Sequence, residues 1–236
     1  MSLRLFADAD ALAAAAAADL AACARAAITT RGRFDVAVSG GRTPAGLFAK
    51  LVTGDLRGAP EIECIQVWFA DERAVPPDHP DSNYRMVREA LLLPLGWPLA
   101  NVHRMEADRE DLEAAAAGYA RALPSRLDLV VLGIGEDGHT ASLFPGSPLV
   151  AEEARTVAAV YDAPKPPARR LTLTPPVLAA ARRLMMLASG EGKADAVARA
   201  LSESGDTREV PARLARGRDW YLDRAAAAHL PAGIAG

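Results

Sequence analysis

The chain has 236 residues, with 27 Lys and Arg against 30 Asp and Glu, a formal net charge of -3 and 50% apolar residues. That is the composition of a folded globular protein, which excludes a disordered chain, and the length permits a full hydrophobic core without staples. The near-neutral balance provides no general field for nucleic acid, and Cys23 and Cys64 are too few for a disulfide framework, so a reducing, cytoplasmic setting is expected.

Residues 8–30 read as one Ala-rich helix, because Ala is the best helix former. Asp10 and Asp19 interrupt this apolar stretch and its flank is acidic rather than basic, so neither a signal peptide nor a membrane span is expected. Residues 34–38 form a short apolar strand that stops at Ser39-Gly40-Gly41, and Thr43-Pro44 opens a helix to about Val52. Residues 64–70 are the next strand, followed by a Pro- and Asp-rich loop over 71–81 and a helix from Ser82 to about Leu93. A short strand at 102–104 and a helix over 110–123 lead to the most apolar strand, 127–132. Weaker strands at 156–160 and 171–174 flank the linker Pro164-Lys165-Pro166-Pro167. A helix starts at Pro175. A strand over 183–188, a helix to about Ser202, a strand at 220–222 and a short helix over 224–230 complete the series.

Strands that alternate with helices and are nearly continuous in apolar residues predict an α/β fold, a mostly parallel sheet covered on both faces. No linker is long or polar enough to divide the chain, so residues 1–236 are expected to form a single domain. Ligands bind such sheets outside the carboxyl ends of the strands. Four loops there are polar or Gly-rich: Ser39–Thr43, Asp71–Arg73, Gly133–His139 and Ser189–Lys193. They converge on one crevice if their strands are neighbours.

The Ser39-Gly40-Gly41-Arg42-Thr43 loop offers open backbone N–H groups, a helix N-terminus and polar side chains, a means of holding phosphate without a lysine loop. The alternative is a plain turn that needs glycine for steric reasons. Asp71-Glu72-Arg73 contains a guanidinium suited to phosphate, although alone the triplet reads as a solvated surface cluster. Gly133-Ile134-Gly135-Glu136-Asp137-Gly138 matches a dinucleotide-binding glycine pattern, but Glu136 and Asp137 would repel a pyrophosphate and Pro145 forbids a full helix after it. The same loop reads better as catalytic. His139 follows Asp137 by two residues, so a carboxylate can orient an imidazole that exchanges protons near neutral pH. His79, His103 and His229 have no such setting and read as structural or surface residues. No histidine pair has metal-ligand spacing, so no metal and no cofactor are expected. Among 27 basic residues only Lys50, Lys165 and Lys193 are lysines, and Lys193 ends a strand-to-helix turn where it can meet a phosphate. Arg169 and Arg170, taken alone, read as a solvated pair.

Together these segments resemble the 6-phosphogluconolactonase family over nearly the whole chain. The resemblance runs through residues 38–44, 68–75, 81–84, 132–145, 165–174, 190–193 and 220–227, and Gly138-His139-Thr140-Ala141-Ser142-Leu143-Phe144-Pro145 is its most specific block. Related glucosamine-6-phosphate deaminases share the glycine loop and its histidine but continue with an Asn-Glu-Pro segment, where this chain has Leu143-Phe144-Pro145. The resemblance implies a Rossmann-like three-layer sandwich and hydrolysis of a sugar-phosphate lactone in the oxidative pentose phosphate pathway. It implies His139 as acid/base with Asp137 beside it. It also implies substrate and phosphate binding by Ser39, Gly40, Gly41, Arg42, Thr43, Asp71, Arg73, Arg170 and Lys193, with Arg170 rather than Arg169 as the matching basic residue. A small-molecule substrate, no nucleic acid, no membrane and a monomer or weak homodimer are the accompanying expectations. Deaminase or isomerase chemistry, and a non-catalytic sugar-phosphate sensor, are the competing readings.

Overall fold

The computed structural model describes residues 2–54 and 56–231. In chain order the elements are β1 (Leu3–Phe6), α1 (Ala9–Arg31), β2 (Phe34–Val38), α2 (Arg42–Thr53), β3 (Ile65–Phe69), β4 (Asp71–Arg73), α3 (Asn83–Val87), α4 (Leu93–Leu95) and β5 (Val102–His103). They continue with α5 (Leu112–Ala122), β6 (Leu129–Gly133), β7 (Val157–Val160), β8 (Arg170–Leu173), α6 (Pro175–Ala180), β9 (Arg183–Ala188), α7 (Ala194–Leu201) and β10 (Asp219–Asp223).

The apolar strands pair into a seven-stranded sheet of order β1-β10-β9-β6-β2-β3-β5, in which every neighbouring pair is parallel. All five residues of β2 are buried. Successive side chains of a strand face opposite ways, so both faces of the sheet are covered, as its unbroken apolar runs require. Helix α1 shows how the Ala-rich segment is used. It has the length and composition of a membrane span. Yet Leu12, Ala16, Leu20 and Ala24, spaced by one helical turn, are buried in the core, and α1 packs closely on α2. Asp8 accepts a hydrogen bond from Ala11 N at its start, and Gly32 closes it in the left-handed region at φ 72°.

Winding proceeds from β2 outward through β3 to β5, then returns to the other side of β2 at β6 and proceeds outward through β9 to β10. The reversal falls between β2 and β6, which is where an open α/β sheet has its crevice.

Three segments differ from the sequence expectation. Residues 71–73, expected in a loop, form β4, the edge of a second, antiparallel sheet of order β4-β8-β7. The two weaker strands therefore leave the main sheet and build this smaller one. Residues 3–6 add an edge strand. Four residues, three half-buried and Leu5 exposed, are too short a run to show a period in the sequence. Residues 224–230 make successive turns instead of a helix, and Asp223 accepts from Ala226 N through its carboxylate at their start.

Candidate active site

Strands β9, β6, β2 and β3 are consecutive neighbours in the main sheet, so the four polar loops that follow them lie side by side. They border a cavity of about 700 Å³. Ser39, Gly40, Gly41, Arg42, Thr43, Asp71, Arg73, His139, Arg170 and Lys193 all line it. Asp137 stands directly behind His139: its Oδ1 lies 2.5 Å from His139 Nδ1 and accepts from His139 N at 3.2 Å.

The His139 loop is built to present one ring nitrogen. A methyl group on Gly135 would come within 2.0 Å of His139 Nδ1, so only glycine lets the imidazole fold back on its own loop. Burial opposes ionisation of Asp137, but the hydrogen bond and charge of His139 outweigh it. With Lys165 Nζ 3.7 Å from Oδ2, they hold the carboxyl well below the usual carboxylate range. An ionised Asp137 can only accept, so Nδ1 supplies the proton of that bond, and in the neutral ring the lone pair falls on Nε2. Among the described residues, no protein group bonds to Nε2. The next residues are held tightly: Thr140 Oγ1 donates to Gly133 O at 2.9 Å, and Ala141 sits at φ 49°, a strained position for a residue with a Cβ.

The same cavity has a cationic wall. Arg73 on β4 and Arg170 on β8 are direct cross-strand partners. Like charges in that position repel, and an anion between them removes the repulsion. Arg170 is buried beside Phe144, its guanidinium 5.3 Å from the ring, while Nε donates to Pro167 O and a terminal nitrogen donates to Lys165 O. Burial lowers its pKa, Asp71 opposes that and Arg73 adds to it. One nitrogen of Arg73 donates to Asp81 O at 2.7 Å, but its Nε is buried without a partner, as is Ser39 Oγ. Unsatisfied buried donors are costly, and both belong to residues that border the cavity. Gly41, at φ 109°, precedes α2 without a side-chain cap, so the first-turn N–H groups of α2 lack an internal partner. Lys193 enters from the β9 loop, which Asp223 anchors by accepting from Ser189 Oγ at 2.6 Å and from Gly190 N. Burial lowers the Lys193 pKa, Glu136 opposes, and the charges of Lys165 and Arg42 lower it further.

The reading of Asp71-Glu72-Arg73 as a solvated cluster is corrected. Asp71 and Glu72 are 5% and 3% exposed. Glu72 accepts from Asn83 N, Tyr84 N and Ser82 Oγ and so holds the start of α3, while burial pushes its pKa up. Arg170 is likewise buried, not part of a solvated pair. The cavity also includes Asn83, Glu136 and Lys165, which the sequence reading did not place in the site. For Lys165 a signal existed. Of the three lysines, Lys165 and Lys193 border the cavity and Lys50 pairs with Asp10 on the surface. Asn83 lies in segment 81–84 of the family resemblance, but only the fold brings it to Gly40. Among the described residues, no group of three or more His, Cys, Asp or Glu could hold a metal ion.

The chain is similar to known proteins over most of its length. Residues 7–222 match the family model described as glucosamine-6-phosphate isomerases/6-phosphogluconolactonase. A 6-phosphogluconolactonase of Streptomyces coelicolor is 42% identical over 243 residues, covering 95% of this chain and 92% of that protein. The human 6-phosphogluconolactonase is 39% identical, covering 84% of this chain and 81% of its own. Among solved structures, a 6-phosphogluconolactonase from Trypanosoma brucei superposes with a TM-score of 0.85 at 30% identity, covering 98% of both chains.

Proposed function

The chain belongs to the glucosamine-6-phosphate isomerase/6-phosphogluconolactonase family, and on that premise we propose that it hydrolyses 6-phospho-D-glucono-1,5-lactone to 6-phosphogluconate. One observation carries the reading. An imidazole with its Nδ1 held by a carboxylate, and a facing strand pair of arginines, the buried Arg170 and an Arg73 whose Nε has no protein partner, border the same cavity.

In this reading the 6-phosphate lies among Arg42, Arg73, Arg170, Lys193 and the backbone of residues 39–43. Holding it fixes C1 of the sugar near His139, so binding energy remote from the reaction contributes to turnover. Nε2 of His139 takes a proton from water as the water oxygen attacks C1. The negative charge that develops on the carbonyl oxygen is stabilised by backbone N–H groups or a nearby cationic side chain. The C1–O5 bond then breaks, and His139 returns its proton to the departing ring oxygen. Asp137 keeps the ring oriented and balances the imidazolium. Acid–base catalysis of this kind contributes about 10²–10⁴-fold.

The test is a stopped-flow lactonase assay on freshly generated substrate with spontaneous hydrolysis subtracted. Catalysis by the native chain is expected. His139→Ala should lose about 10²–10⁴-fold in kcat and keep its affinity for inorganic phosphate. A native chain no faster than background overturns the function, and an unimpaired His139→Ala moves the acid/base role elsewhere.

A further inference from the structure

The reaction proposed above needs two features at a defined separation, the imidazole and the phosphate-binding wall. They belong to different loops, and one buried chain of hydrogen bonds joins them. Ser142, in the His139 loop and fully buried, donates through Oγ to Asp71 Oδ2 at 2.7 Å, and its N–H donates to Thr172 Oγ1 at 3.1 Å. The other oxygen of Asp71 accepts from Asn83 Nδ2 at 3.2 Å, and the same amide donates to Asp71 O at 2.9 Å. The Asn83 oxygen rests against Gly40, where an added Cβ would lie 1.9 Å away. Strand pairing completes the arrangement. Asp71 faces Thr172 and Arg73 faces Arg170. Residues two apart share a face, so Asp71 and Arg73 project from the same side of β4. Asp71 borders the cavity, yet both of its carboxylate oxygens are engaged by protein groups.

We propose that Asp71 is a positioning residue which, through Ser142 on one side and Asn83 on the other, sets the spacing between His139 and the phosphate-binding groups. This rests on the lactonase reading. A buried carboxylate suits the task because charge-assisted hydrogen bonds are short and directional. It also places an acidic side chain on the same face of β4 as Arg73, one pair along from the Arg73–Arg170 pair.

The test compares two substrates, the 6-phosphorylated lactone and unphosphorylated glucono-1,5-lactone. The spacing matters only when the phosphate anchors the sugar. Ser142→Ala removes one hydroxyl from the chain and leaves Asp71 its bonds to Asn83. Its kcat on the phosphorylated lactone should fall about tenfold, as for a misplacement worth about 1.4 kcal/mol. The fall on the unphosphorylated lactone should be several-fold smaller, and KM and the inhibition constant for inorganic phosphate should stay close to native values. Asp71→Asn, which keeps the shape and removes the charge, should show the same split in kcat. Equal losses on both lactones, no loss on either, or a weakened phosphate constant with kcat unaltered would each overturn the proposal. A native chain without lactonase activity fails at an earlier point and overturns the function itself.

Discussion

Arg73 illustrates how one side chain is prepared for a ligand. Its strand position is set by β4, one end of its guanidinium is tied to Asp81 O, and its Nε faces no protein acceptor. Arg170 directly across the strand pair makes that placement unfavourable until an anion arrives. Under the proposed reaction, Arg73→Ala should raise KM for the phosphorylated lactone at least tenfold, and that for unphosphorylated gluconolactone much less. Steady-state kinetics on both substrates checks this, and equal effects would remove Arg73 from the phosphate site. His139 and Asp137 show the complementary case. Asp137 is kept ionised by its neighbours, so the ring tautomer is decided before a substrate binds.

At the scale of elements, the site depends on three joints. Beyond β5, Tyr119 of α5 takes over as partner of β3. Its hydroxyl accepts from Phe69 N at 2.7 Å and donates to Phe69 O at 3.2 Å. Past Phe69 the chain turns into β4 and enters the small sheet. Glu72 holds the N-terminus of α3, so Asn83 has no room to retreat from Gly40. Gly40→Ala should therefore displace the phosphate loop or α3, raise KM for the phosphorylated lactone and lower Tm. Gly118, within α5, is a contrasting site. A Cβ there meets nothing closer than an Arg121 nitrogen at 3.9 Å. Gly118→Ala should raise Tm by about 2–4 °C, since Ala exceeds Gly in a helix by roughly 1 kcal/mol. A Tm increase for Gly40→Ala, or a decrease for Gly118→Ala, would contradict these assignments.

For the molecule as a whole, the start of β10 ties β9 and the segment before β1 together through one carboxylate. Asp219 at the start of β10 accepts from Arg183 on β9 and from Ser2 N and Oγ. Burial opposes ionisation of Asp219, but these donors hold its carboxyl below its unfolded value of 3.8. A depressed carboxyl stabilises the fold above pH 3.8, and this contribution is lost as pH falls from there through the folded value. The pair is partly solvent-exposed, so its contribution is screened to about 1 kcal/mol or less. Asp219→Asn should lower Tm at pH 7 by up to about 2–4 °C, and the gap should close as pH is lowered below 3.8. Thermal unfolding of both proteins across that range measures it, and a gap independent of pH would show that charge is not the cause.

The alternation of apolar strands and helices, the glycines at strand ends and the Asp137–His139 spacing are all written within a few consecutive residues. For that reason the parallel α/β fold, most element bounds and the polar segments at the strand ends that border the cavity could be read before any coordinates. Local pattern carries that information because backbone periodicity and turn chemistry act over short stretches of chain. Three-dimensional packing alone decided the rest. The departure of residues 71–73 into a second sheet, the burial of Asp71, Glu72 and Arg170, the arrival of Asn83 beside Gly40 and the bond from Ser142 to Asp71 each join groups far apart in the chain. Whether a charged triplet is solvated or buried depends on what folds over it. That is a property of sheet order and layer packing, which no short window of residues contains.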